Sequence, residues 1–285
     1  MRARLLRSVV AATVSVGLLV TASPTSGQTT WTRVGTGITQ GISGIAPAAS
    51  GWVIVRDNKT SGQNRVALLS DTHVVRNLTW PGTAPSDLEA IGAVPAQAGR
   101  YAVVTSSGSG RVISISGTTL RVIRAFTLPA GRLENESFAL TRVGSTTVAV
   151  WANRGSTTTA GGLFAATFNV SRGTFGRVVR ADVTVPWPTT NVRPISDATV
   201  LSGGRIVISS ASDNGNNGPF DAALYAVGTV SLSSGQALLT MTGPVALGTH
   251  PGHKIEGLAC KGTAGILGTD DENLGGWVAA GAFCS

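Results

Sequence analysis

Acidic residues open short apolar runs at intervals along this 285-residue chain. Glu89 precedes Ala90-Ile91, Glu136 precedes Ser137-Phe138, Asp197 precedes Ala198-Thr199 and Glu256 precedes Gly257-Leu258. Ser43 takes the corresponding place before Gly44-Ile45. Asp213, Asp270 and Asp271 follow the next apolar run of their own units. Carboxylates gathered in one place repel one another, and the repulsion costs free energy unless a cation or hydrogen-bond donors compensate. An oxygen-rich, sulfur-free set suits Ca2+ or Mg2+. Glu89, Glu136, Asp197, Glu256, Asp213, Asp270 and Asp271 are therefore candidate ligands of a divalent metal, with calcium the expectation. A cation there would polarise a carbonyl or phosphoryl oxygen and activate a water, and Glu89, Glu256 or His253 could take the proton. His250 and His253 stand just ahead of Glu256 and would share its end of the fold. The same acids could instead cap loops and pair with Arg132, Arg154, Arg193 and Lys254. The residues alone leave both readings open.

The elements that must carry these residues are strands. Runs of five to eight residues rich in Val, Ile, Thr, Leu and Ala alternate with Gly, Ser, Asn and Asp clusters. With 37 glycines and few charges, no long amphipathic helix is expected. Positions 43, 89, 136, 197 and 256 are 46, 47, 61 and 59 residues apart, near the period of a propeller blade with loop insertions. Each unit reads as an inner strand, a strongly apolar second strand such as Trp52-Val53-Ile54-Val55, and two outer strands. The expected fold is all-β: a single β-propeller over residues 30–285, with five four-stranded blades. Residues 30–36 would supply the missing outer strand of the last blade, so that no sheet edge stays open at the seam. A six-bladed ring and a β-sandwich are the alternatives. In the five-blade register, 11 of the 14 acids fall at one end of the ring, all except Asp71, Asp182 and Asp221.

Arg2, Arg4 and Arg7, the apolar stretch 8–20 and Val20-Thr21-Ala22 form the three parts of a secretory signal over residues 1–22. Residues 23–29 read as a flexible leader. The chain is expected to be secreted, with no membrane attachment after cleavage, since the apolar stretch is short for a bilayer span. Cys260 and Cys284 are the two cysteines, and in an exported chain a disulfide between them is the default. Without the signal the formal charge is about +5, from 19 basic and 14 acidic residues. Basic tracts with interleaved aromatics are absent, which argues against nucleic-acid binding. No Gly-x-Ser-x-Gly elbow, phosphate loop or calcium-loop spacing occurs.

Asp87-Leu88-Glu89-Ala90-Ile91, Lys254-Ile255-Glu256-Gly257-Leu258-Ala259 and Gly268-Thr269-Asp270-Asp271-Glu272 resemble motifs of the phytase-like, or esterase-like, propellers. The resemblance implies a metal-dependent hydrolase of ester or phosphoester bonds, and Glu89, Glu256, Asp270 and Asp271 are the positions that match. Ala90 departs from the glycine of the motif, and the first unit has no acid. The function expected is thus an exported hydrolase of this kind, a monomer acting on a small-molecule or polymer substrate. The competing expectation is an extracellular binding module for a protein or cell-wall glycan. Trp31, Trp52, Trp80, Trp151, Trp187 and Trp277 share no common register, which argues against five identical sugar sites.

Overall fold

The computed structural model describes residues 29–131 and 134–285. The expected signal, all but the last residue of the leader, and Arg132 lie outside the described residues. The first blade comprises β2 (Gly44–Pro47), β3 (Trp52–Val55), β4 (Val66–Leu69) and β5 (Val75–Leu78), after a two-residue strand β1 (Thr32–Arg33). The second comprises β6 (Leu88–Ala93), β7 (Arg100–Thr105), β8 (Ser109–Ser116) and β9 (Thr119–Thr127). The third holds β10 (Asn135–Val143), β11 (Thr146–Asn153), β12 (Gly161–Asn169), β13 (Thr174–Phe175) and β14 (Val179–Val183). The fourth holds β15 (Val192–Val200), β16 (Arg205–Ser212), β17 (Asp221–Ser233) and β18 (Gln236–Pro251), and the fifth β19 (Ile255–Lys261), β20 (Ala264–Thr269) and β21 (Trp277–Gly281). Every pairing is antiparallel, and β1 joins β21 as the outer strand of the last blade, Thr32 opposite Val278 and Arg33 opposite Trp277.

The inner strands close a circuit: β2 touches β6, β6 touches β10, β10 touches β15, β15 touches β19, and β19 returns to β2. This is a five-bladed propeller. It departs from four strands per blade in the third, where β13 and β14 both pair with β12. No described helix is long and apolar enough to cross a membrane.

Five apolar clusters fill the five seams between blades, which explains why the second strands are apolar on both faces. Trp151, fully buried, stacks on Phe164 at 5.6 Å between the second and third blades and donates its indole N–H to Ala130 O at 2.9 Å. It is packing, not a sugar platform. Inner strands approach so closely that a Cβ on Gly44 would lie 3.1 Å from the Ile91 amide, and one on Gly92 2.7 Å from the Phe138 carbonyl. The Cys260–Cys284 disulfide, Cα–Cα 5.8 Å, ties the C-terminal tail to β19.

Candidate functional site

Bulges aim the key acids. In β6 the pairing with β7 passes from Leu88 to Ala90, in β10 from Asn135 to Ser137, and in β19 from Ile255 to Gly257. Glu89, Glu136 and Glu256 are the skipped residues. A β-bulge re-aims its extra residue, and the three side chains reach into a cavity of ≈ 670 Å³ at one end of the ring. The residues just ahead of these strands and just after the second strands form its rim. Asp87, Glu134 and Lys254 come from the first group, and Asp57, Arg154, Asp213 and Asp270 from the second. Asp87 and Glu134 hold left-handed backbone conformations, φ 65° and 54°, as does Glu272 at 52°. Such conformations carry some strain in residues with a side chain.

Nine of the eleven acids expected at this end line the mouth: Asp57, Asp87, Glu89, Glu134, Glu136, Asp213, Glu256, Asp270 and Glu272. Their environments divide it in two. On the side of the third to fifth blades, cations interleave with the acids. Arg193 reaches Asp213 at 2.7 Å, Glu256 at 2.9 Å and Glu136 at 3.7 Å. Lys254 stands 3.2 Å from Glu256 and 2.5 Å from Glu272, and Arg154 2.5 Å from Glu134 and 3.8 Å from Glu136. Burial and the surrounding carboxylates push the affinity of Glu136 for a proton up, to a pKa of about 8, against the pull of Arg193 and Arg154. Burial likewise raises Glu256 and, more strongly, Asp270. Burial opposes ionisation of Asp213 as well, but Arg193 outweighs it and holds that carboxyl below its usual range.

On the side of the first two blades the carboxylates have less help. Asp57, Asp87 and Glu89 are half-buried, and one ligand atom from each lies within 4.8 Å of the others. Among the described residues, no hydrogen bond or ion pair reaches the Glu89 carboxylate. Burial, then Glu136 and Glu256, push its pKa well above the usual carboxylate range. Lys59 is the cation that ion-pairs here among the described residues, 3.1 Å from Asp87 and 3.7 Å from Asp57, with its side chain 65% exposed. Asp87 Oδ1 is enclosed and receives no well-directed hydrogen bond. Two ionised carboxylates at this spacing repel by about 3 kcal/mol at an effective dielectric constant of ~20. Among the described residues, one ammonium ion-pairs with this trio, and an all-oxygen set of this size fits a hard divalent cation.

The remaining candidates stand elsewhere. The blade-four register differs by one residue from that expected. Asp197 pairs with Ser209 as Ala90 pairs with Val104, Ser137 with Ala152 and Gly257 with Gly268. The counterpart of the bulged glutamates is therefore Ser196. Asp197 turns away from the mouth, accepting the Leu258 N–H at 2.6 Å and its neighbour Ala198's at 2.7 Å, which fastens β15 to β19. Asp271 lies behind the rim, accepting the Lys254 N–H at 2.6 Å, with Oδ2 2.7 Å from His253 Nδ1. His253 packs on Trp31 at 4.1 Å between ring centres and flanks Trp277, so it belongs to the ring closure and not to the mouth lining.

The strand-start motif singled out Glu89 but not its two neighbours. Asp57 and Asp87 were legible as members of the acidic end, one after a second strand and one ahead of an inner strand. Nothing in their spacing marked them as partners. Arg193 and Lys254 carried a weaker signal, as bases beside acids.

No protein-family model and no curated protein matches the chain. Among solved structures, one described as a glycoside hydrolase is similar with a TM-score of 0.51 at 11% identity, over 87% of this chain and 61% of that one. The WD40 domain of Neurospora crassa Pan2 aligns with a TM-score of 0.42 at 11% identity, over 86% of this chain and 76% of its own. The chain thus spans about three-fifths of the glycoside hydrolase's length. At such identity the likeness concerns the fold alone. By its sheet topology, and in keeping with the likeness to the glycoside hydrolase structure, the chain is a β-propeller.

Proposed function

We propose that the mouth holds a divalent cation, calcium being the ion its donors suit, and that the chain is an exported hydrolase of ester or phosphoester bonds acting there. The observation that carries this is the cluster of Asp57, Asp87 and Glu89, for which Lys59 is the one ion-pair partner among the described residues, beside a half of the mouth that is already ion-paired. Those three residues would hold the ion. Bound there, it supplies polarisation of a carbonyl or phosphoryl oxygen and a more acidic water.

The protein's own groups account for the rest. Arg193 and Lys254 are fixed in place by Glu136, Asp213, Glu256 and Glu272, so they present positive charge in set positions to an anionic part of the substrate. Glu136, with its pKa near 8, holds a proton at neutral pH and can pass it to a departing oxygen. Glu256 lies beside both cations and can orient a water. The phytase-like motifs agree with this at Glu89, Glu256 and Asp270, all of which line the mouth. Export is supported by the signal-like N-terminus and the disulfide. The test is hydrolysis of p-nitrophenyl esters and phosphoesters by calcium-loaded protein. Turnover that disappears in EDTA and in Glu89→Gln is expected. No turnover of either class by the loaded wild type would overturn the hydrolase assignment.

A further inference from the structure

We propose that Lys59 is a tethered counter-ion that occupies the cation site and competes with the metal for it, so that this one side chain sets the affinity of the site. The inference rests on the reading of Asp57, Asp87 and Glu89 as a cation site. The segment bearing Lys59 is pinned on both sides. Asn58 donates to Thr39 O at 3.0 Å and Asn64 O at 2.7 Å. Thr60 N donates to Gln63 Oε1 at 2.9 Å, while Arg65 donates to Thr60 O at 3.1 Å, Gln63 O at 2.9 Å and Pro85 O at 2.7 Å. The backbone on either side of Lys59 is thereby held, and its long stem is the part free to move. Its ammonium lies 3.1 Å from Asp87 and 3.7 Å from Asp57, two of the three acids that would take the ion. Among the described residues, the other cations lining the mouth are ion-paired to other acids: Arg193 to Asp213 and Glu256, Lys254 to Glu256 and Glu272, Arg154 to Glu134.

A tethered group acts at an effective concentration in roughly the millimolar range. The arriving ion must displace it, and the side chain, 65% exposed, can swing into solvent when it does. A single positive charge left near a divalent ion also repels it. Removing the ammonium therefore removes both a competitor and a repulsion.

Calorimetric titration of EDTA-stripped protein with CaCl2, and separately with MgCl2, tests this on the wild type, Lys59→Gln, Lys59→Met and Lys59→Arg. Both neutral variants are expected to bind Ca2+ about tenfold more tightly than the wild type, a difference of about 1.4 kcal/mol. Lys59→Arg, which keeps the charge, is expected to stay near the wild type. Neutral variants that bind no more tightly than a wild type that does bind would overturn the competition and leave the cation site standing. Absence of Ca2+ and Mg2+ binding in all four proteins, with their melting unchanged by either ion, would overturn the site and the competition together.

Discussion

Arg193→Met removes the cation around which half of the mouth is organised. The arginine side chain is 13% exposed, and its partners Glu256 and Glu136 are 3% and 5% exposed. Deleting one member of a buried pair costs about 3–5 kcal/mol, because the other is left charged and desolvated. Here the lower end applies, since Lys254 stays 3.2 Å from Glu256, and Glu136, with a pKa of about 8, is largely protonated at neutral pH. About 3 kcal/mol at neutral pH corresponds to a fall of roughly 6–12 °C in the melting temperature of a domain this size. The cost should shrink in acid, because Glu256, whose carboxyl pKa burial raises, takes up a proton and no longer needs the arginine, while Asp213, held below its usual range, stays ionised. Thermal melts by circular dichroism at about pH 5 and about pH 7.5 measure both effects, and Arg193→Lys should fall between wild type and Arg193→Met. A loss under about 0.5 kcal/mol at neutral pH, or a larger loss in acid than at neutrality, would refute the ion-paired account of this half.

Four other outcomes follow from the same geometry. Glu136 has a folded-state pKa raised to about 8, above its unfolded value of about 4.5, so the folded state binds the extra proton; the cation-free protein should lose stability as pH rises through that window, seen as a melting temperature that falls from about pH 5 to about pH 8. Cys260→Ser with Cys284→Ser opens a disulfide spanning 24 residues of sequence and should cost about 2–4 kcal/mol in denaturant unfolding. Asp197→Asn keeps an acceptor for the Leu258 amide and should leave Ca2+ binding at its wild-type value by calorimetry, whereas Asp197→Ala should lower stability by about 1–3 kcal/mol. Trp151→Ala should cost about 3–5 kcal/mol, since the indole fills the seam between the second and third blades.

The ring was legible because its determinants are local and repeated. A second strand such as Val148-Ala149-Val150-Trp151 must be buried on both faces, and its recurrence with an inner strand before it counts the blades. Thr32-Arg33 closes the ring as expected, because β21 would otherwise keep a bare edge. The collection of acids at one end followed from strand polarity alone. Their division into two halves did not, since it depends on which cation reaches which acid across blades: Arg193 of the fourth blade meets Glu256 of the fifth. Asp197 shows a second limit. Ile195-Ser196-Asp197-Ala198 aligns with Asn135-Glu136-Ser137-Phe138 once the pairing of Asp197 with Ser209 is known, and a one-residue slip turns a side chain to the other face. The clasp of His253 on Trp31 joins residues far apart in the chain, with no spacing to announce it.

Asp57, Asp87 and Glu89 are proposed to form a cation site. Calorimetric titration of EDTA-stripped wild type and Glu89→Gln with CaCl2, alongside their thermal melts, tests it most directly. One ion bound per wild-type chain, a raised melting temperature with calcium, and loss of both in Glu89→Gln are predicted. Absence of binding heat and an unchanged melt in the wild type, or full binding retained in Glu89→Gln, would contradict it.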